Sequence, residues 1–269
     1  MAQLSMNETT TFRWTLEEDV ARYAAAGIPA IGVWRQKLSD CGEARGIDLL
    51  HSSGLKVSHL LWAGGFTGSD GRSFRASVED AKEALRTARA LGTGTLVVYS
   101  GARAGHTFNH ARRLITEALR ELSPMAAELG VALAVEPMHP DCASEFTFIT
   151  SADEVLELIE KVASPQVKMV FDTYHLGQDP ATVARIPELA RHVAIVQLGD
   201  ARRPPSGEQN RCRLGEGTLP LREIIAALKA AGYDGYYDVE LLGEEIEATD
   251  YFSLLDHAKQ AYAELVEAK

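Results

Sequence analysis

Short apolar runs alternate along this chain with longer stretches of helical period, and glycines stand where the helical stretches stop. Eight runs read as strands: Leu4–Met6, Ala30–Val33, Val57–Leu61, Thr95–Tyr99, Ala132–Glu136, Lys168–Asp172, Ala194–Leu198 and Tyr236–Glu240. Runs of this length without polar alternation suit strands covered on both faces, as in a parallel sheet. Gly27, Gly54, Gly92, Gly130 and Gly232 each precede a strand by a few residues, where helices commonly end on a left-handed residue. Eight strands alternating with helices in 269 residues predict an α/β fold of the closed (β/α)8 type, a TIM barrel forming one domain over residues 1–269. An open doubly wound sheet would want a glycine-rich phosphate loop after the first strand. Asn7-Glu8-Thr9-Thr10-Thr11 stands there, without a glycine.

Punctuation supports the helices. Thr15 with Glu18, and Ser151 with Glu154, read as capping boxes ahead of Leu16, Val20, Tyr23 and of Val155, Leu158, Val162. Ser77 reads as the cap of a helix carrying Val78, Ala81, Leu85 and Ala88 inward. Further helices are expected over about Asn109–Leu129, Leu219–Ala231 and Thr249–Val266. The piece Arg202-Arg203-Pro204-Pro205-Ser206-Gly207 reads as a loop after the seventh strand.

A net charge of −11 argues against a general nucleic-acid binder, because phosphate backbones repel such a surface. Three cysteines at wide spacing, without a CxxC pair, suit a reducing compartment. The start of the chain has neither a basic nor an apolar leader segment, and no run of eighteen apolar residues occurs. A cytoplasmic protein without membrane partners is expected.

Function in such barrels sits at the C-terminal ends of the strands. Strands five to eight finish in Glu136, Asp172, Gln197 and Glu240. Each alone has an ordinary reading, as a solvated strand end, a turn cap or a loop amide. Together they bring three carboxylates and an amide to one mouth. Carboxylates so gathered repel one another unless a cation joins them. An all-oxygen set suits one hard divalent ion, and the Gln197 amide favours Mn2+ or Mg2+ over Zn2+.

These strand ends, the Asp172-Thr173-Tyr174-His175 step, and Leu214-Gly215-Glu216-Gly217 ahead of a helix resemble the xylose isomerase-like TIM barrels. More narrowly, they resemble the sugar phosphate isomerase/epimerase group with its ketose 3-epimerases. The resemblance covers roughly Leu133–Glu240 and is thin over the first hundred residues. It implies that Glu136, Asp172 and Glu240 are metal ligands, with Gln197 where epimerases usually carry histidine. It implies that Glu136 and Glu240 exchange protons with substrate carbon on opposite faces, that His175 hydrogen-bonds the substrate, and that Arg203 reaches its oxygens. Family barrels build substrate walls from the early strand ends, which makes Arg35 and His106 candidate pocket residues. Phe66 and Phe74 either cover substrate or pack under a loop. His139 is a further metal-ligand candidate, and a homodimer is expected of many such barrels.

The chemistry these parts suit is removal of a proton beside a carbonyl of a keto-sugar or cyclic polyol ketone. Return of the proton on the far face gives an epimerase or isomerase. Departure of a β-oxygen instead gives a lyase, and glutamine at position 197 also occurs in 3-dehydroshikimate dehydratases. A DNA-repair endonuclease of the same barrel would need many histidines around zinc, which Gln197 and the acidic charge disfavour. A sugar-binding module without catalysis is the remaining alternative.

Overall fold

The computed structural model describes residues 3–207 and 209–267. The strands are β1 (Gln3–Asn7), β2 (Ala30–Trp34), β3 (Lys56–Gly64), β4 (Thr95–Tyr99), β5 (Ala132–Val135), β6 (Val167–Asp172), β7 (Val193–Leu198) and β8 (Tyr236–Val239). All neighbours pair in parallel, and β8 closes on β1, so the expected barrel is the architecture found. Around it run α1 (Leu16–Ala25), α2 (Arg35–Cys41), α3 (Glu43–Ser53), α4 (Phe74–Ala90), α5 (Phe108–Leu129), α6 (Pro140–Ala143) and α7 (Ala152–Val162). Then come α8 (Thr173–Leu176), α9 (Pro180–Ala184), α10 (Ile186–Leu189), α11 (Leu221–Ala230), α12 (Glu244–Glu247) and α13 (Tyr251–Glu267).

Side chains on a strand alternate between faces. Outward residues such as Met6, Ile31, Leu96, Leu133, Phe171, Val196 and Val239 pack against the helices in the main apolar core. Inward residues Leu61, Val97, Ala134, Val170 and Ile195 form a smaller apolar plug inside the barrel. The other side of the interior is polar, with Ser5, Asn7, Ser58, His59 and Asp238 all buried. Gly32 belongs there for a steric reason. A Cβ at this position would lie 2.4 Å from His59 Cε1 and 2.9 Å from Asp238 Oδ1.

The helix ends follow the glycine signals, since Gly27, Gly54, Gly92, Gly130 and Gly232 all have positive φ. Thr15 and Glu18 form the expected capping box. The other two caps differ from expectation. Ser151 caps α7, but Glu154 Oε2 accepts from the Thr150 amide rather than from that of Ser151. α4 begins one turn early, with Ser73 accepting from the Ala76 amide, while Ser77 Oγ donates to the Gly65 carbonyl. Ser73 precedes the apolar period, so the hydrophobic pattern alone places the start too late. Phe66 is fully buried, and Phe74 packs against the core.

Candidate active site

The inward alternation that builds the plug also builds the site. Two residues beyond Ala134, Val170, Ile195 and Asp238, the next inward positions are Glu136, Asp172, Gln197 and Glu240. Asp172 is in register with Gln197. The ladder continues past the last assigned strand residues: the Glu136 amide donates to the Val98 carbonyl, and that of Glu240 to Leu198. All four side chains are buried, at most 2% exposed.

Their polar atoms are incompletely used. Glu136 Oε2, His175 Nε2 and both Gln197 amide atoms have no hydrogen-bond partner. Ligand atoms of Glu136, Asp172 and His175 lie within 4.8 Å of one another. Glu240 Oε1 accepts from Thr9 Oγ1 at 3.3 Å and from Asn7 Nδ2 at 3.4 Å. Burial, then the charges of Glu240 and Asp172, push the Glu136 carboxyl well above the usual range. Burial raises Glu240 to about 7 against the pull of Arg211. Orphaned buried oxygens and crowded carboxyls are what a divalent cation would relieve, so the residues present fit such an ion.

His175 has a decided tautomer. Its Nδ1 accepts from the His139 amide at 3.2 Å, and burial lowers its pKa to about 4. A neutral ring accepting at Nδ1 carries its hydrogen on Nε2. That N–H points at the carboxyl cluster, 3.9 Å from Asp172 Oδ2. It has no hydrogen-bond partner there, so it is free to donate.

One central residue escaped the sequence reading. Arg211 is 1% exposed and donates from Nη2 to Asp172 Oδ2 at 2.8 Å and from Nη1 to the Glu240 carbonyl at 2.9 Å. Its Nη1 also lies 3.3 Å from Glu240 Oε2, and its guanidinium stacks over Tyr174 at 4.7 Å. Arg203, the arginine expected to reach the substrate, is exposed and lines a groove together with Arg202, Arg211 and Glu244. Four arginines fall between positions 202 and 213, and an irregular loop has no period to say which one turns inward. The Leu214-Gly215-Glu216-Gly217 motif acts through Asp200, whose carboxylate accepts from the amides of Ala201, Gly215, Gly217 and Leu219. That anchoring holds the segment carrying Arg211 against the barrel and occupies Asp200, the remaining acid of that strand end.

The xylose isomerase-like TIM barrel family model matches residues 20–267. The chain belongs to that family. Among curated relatives, an inosose isomerase of Bacillus velezensis is 24% identical over 201 residues, covering 72% of this chain and 69% of the relative. A D-psicose 3-epimerase of Enterocloster bolteae is 32% identical over 118 residues, covering 44% and 36%. Among solved structures, protein SMc04130 of Sinorhizobium meliloti 1021 superposes with a TM-score of 0.90 at 25% identity, covering 99% of both chains. The IOLI protein with a bound zinc atom gives a TM-score of 0.85 at 21% identity over 98% of both chains. The chain is thus a xylose isomerase-like TIM barrel with a buried acidic cluster suited to a metal ion.

In this family member, a cavity of about 440 Å3 opens beside the acidic cluster at the ends of β2 to β5, with Trp34, Trp62, Tyr99, Met138 and Phe146 on its walls. Arg35 lines it, as a pocket residue should, but its fork is held by Asp80. His106 does not line it; its Nε2 contacts the Thr67 carbonyl and its ring packs on His110. His139 stays outside the cluster, with its Nδ1 accepting from the Asp141 amide.

Proposed function

We propose that the chain is a divalent-metal-dependent isomerase or epimerase that moves a proton at the carbon beside the carbonyl of a keto-sugar or cyclic polyol ketone. The observation that carries this reading is the convergence of Glu136, Asp172, Gln197 and Glu240, all buried, with Glu136 Oε2 and the Gln197 amide unpartnered, at one barrel mouth next to a ligand-sized cavity. Glu136, Asp172, Gln197 and Glu240 would hold the ion, and their oxygen chemistry favours Mn2+ or Mg2+. When bound, such a cation supplies Lewis-acid polarisation of a substrate oxygen.

The remaining work falls to the chain. Glu136 and Glu240 come from β5 and β8, three strands apart, and so approach a bound substrate from different sides. One carboxylate would take the proton and the other would return one to the opposite face. The neutral His175 donates from Nε2 to a substrate hydroxyl. Arg211 orients Asp172 and Glu240 and offers positive charge to the oxygen that becomes electron-rich. The buried surroundings keep water from competing for the proton.

Incubation of the metal-loaded protein with ketohexoses and inososes in D2O tests this reading. Deuterium entering at the carbon beside the carbonyl supports it; full retention of hydrogen during turnover replaces it with a hydride shift. Gln197 keeps a second outcome in view. A 3-dehydroshikimate dehydratase of Pseudomonas aeruginosa is 23% identical over 250 residues, covering 89% of this chain and 38% of that protein. With the same base, loss of a β-oxygen as the proton leaves would give an unsaturated ketone, which ultraviolet absorbance detects.

A further inference from the structure

One side of the barrel interior is polar, and the proton transfer at its mouth does not use it. Barrel interiors of this kind are ordinarily filled by layers of apolar side chains. Here Ser5, Asn7, Ser58, His59 and Asp238 occupy that side, each at most 4% exposed. Buried polar groups cost free energy unless they are bonded, and an apolar filling would meet the needs of packing alone.

Asn7 is the member of this group that reaches the candidate active site. It ends β1, and its partner across the ladder is Gly32, where a Cβ would collide with His59 reaching over from β3. Thr9 decides which way the Asn7 amide faces. Asn7 Oδ1 accepts from the Thr9 amide at 3.0 Å and from Thr9 Oγ1 at 2.8 Å. Nδ2 therefore turns to the other side, where it donates to Asp238 Oδ2 at 2.8 Å. A side-chain amide is planar and carries two hydrogens on its nitrogen. With one pinned on Asp238, the direction of the second is fixed. It meets Glu240 Oε1 at 3.4 Å and His59 Nε2 at 3.5 Å.

Glu240 sits in longer contacts than Asn7 does. Its Oε1 has Asn7 Nδ2 at 3.4 Å and Thr9 Oγ1 at 3.3 Å, and its Oε2 has Arg211 Nη1 at 3.3 Å. Thr9 has a single hydroxyl hydrogen, and the shorter contact directs it to Asn7. Asn7 thus donates to Glu240 and also keeps Thr9 from drawing the carboxyl to itself.

We propose that Asn7, braced by Thr9 and Asp238, is a positioning residue that sets the direction of the Glu240 carboxylate toward the substrate carbon. It acts through Glu240, and the proposal rests on the reading of Glu240 as one of the two carboxylates that move the proton.

The test uses the full chain, parent and variants, crystallised with Mn2+, together with turnover in D2O on D-fructose and an inosose as probes. Asn7→Leu keeps the volume and removes the donor, and Asn7→Ala removes it without overpacking. Ser58→Ala is the control, since Ser58 bonds Ser5, His59 and the Ile31 carbonyl in the same interior and not Asn7. Both Asn7 variants should unfold cooperatively, and in both Glu240 Oε1 should close on Thr9 Oγ1, whose hydroxyl has lost its other acceptor. Turnover should fall about 10–100-fold in kcat with KM nearly unchanged, because a misplacement of about 1 Å can cost about 10²-fold. Ser58→Ala should move neither Glu240 nor kcat. Glu240 in its parent position in both Asn7 variants would overturn the proposal. So would a rise in KM at unchanged kcat, which would make Asn7 a binding group, or an equal loss in Ser58→Ala, which would reduce it to packing. A displaced Glu240 with full turnover would uphold the brace and overturn the part of Glu240 in proton transfer. No turnover of either probe by the parent would count against the functional reading alone, with the position of Glu240 deciding this one.

Discussion

Gln197 is the residue at which the chemistry of this site is most open to measurement. Its amide has neither a donor nor an acceptor partner in a fully buried setting. If its oxygen completes the ligand set, Gln197→Ala should weaken Mn2+ binding, and Glu136→Ala should weaken it more, because the latter removes an anionic donor. Calorimetric titration of the two variants gives the order directly, and an unchanged affinity in Gln197→Ala would take that residue out of the set. For Glu240, exchange to glutamine keeps an oxygen but removes the base. Turnover in Glu240→Gln should fall by roughly 10²–10⁴-fold with metal retained, the usual size of a general-base contribution. Loss of metal together with turnover would instead make Glu240 a ligand first. At this scale the four strand-end residues were legible in the sequence because each closes an apolar run at the C-terminal end of a strand. Arg211 was not, because it lies in a loop whose path depends on Asp200 gathering four backbone amides.

Among the elements, α4 shows how local and hydrophobic signals separate. The apolar period starts at Val78, yet the helix starts at Phe74 under a Ser73 cap. Ser73→Ala should therefore cost about 1 kcal/mol, the usual price of losing a serine N-cap, readable as a lower denaturant midpoint with an unchanged slope. A neutral Ser73→Ala would return the cap to Ser77. The extra turn brings Ser77 to the Gly65 carbonyl and Asp80 to Arg35 and Arg72, so the start of this helix also positions the cavity wall. No periodicity in the sequence announces that pairing. Its partners lie on β3, α2 and the loop before α4, and meet only when the barrel curves.

Over the whole molecule, stability should depend on a buried charge cluster behind β1. Lys37 donates to Asp19 Oδ2 at 2.6 Å and to the Glu8 carbonyl, while Glu8 Oε2 accepts from the Trp34 amide. Burial, then the neighbouring Asp19, raises Glu8 well above its ordinary 4.5, and burial raises Asp19 to about 6. A carboxyl raised on folding holds its proton more tightly in the native state. Its contribution is complete below the unfolded value and is lost as pH rises through the folded one. Glu8→Gln removes that titration. The variant should gain stability relative to the parent at pH 8 and gain less at pH 5. A larger loss at pH 8 than at pH 5 would mean that Glu8 is ionised against Lys37. The barrel is also expected to unfold in one cooperative transition, and limited proteolysis yielding two stable halves would contradict that.

Strand number, parallel order, the helix ends marked by Gly27, Gly54, Gly92, Gly130 and Gly232, and the strand-end positions of Glu136, Asp172, Gln197 and Glu240 follow from the sequence by itself. They depend on short-range quantities: apolar period, glycine at positive φ, and the two-residue repeat of a strand. What only the tertiary structure decided is which polar groups meet across the closed sheet. The tautomer of His175 comes from a backbone amide 36 residues earlier. The burial of Arg211 against Asp172 and Glu240 comes with a loop pinned to Asp200. The neutralisation of Arg35 and Arg72 on the cavity wall comes from their ion pairs with Asp70 and Asp80. Such contacts carry no period along the chain, because ring closure in space brings them together.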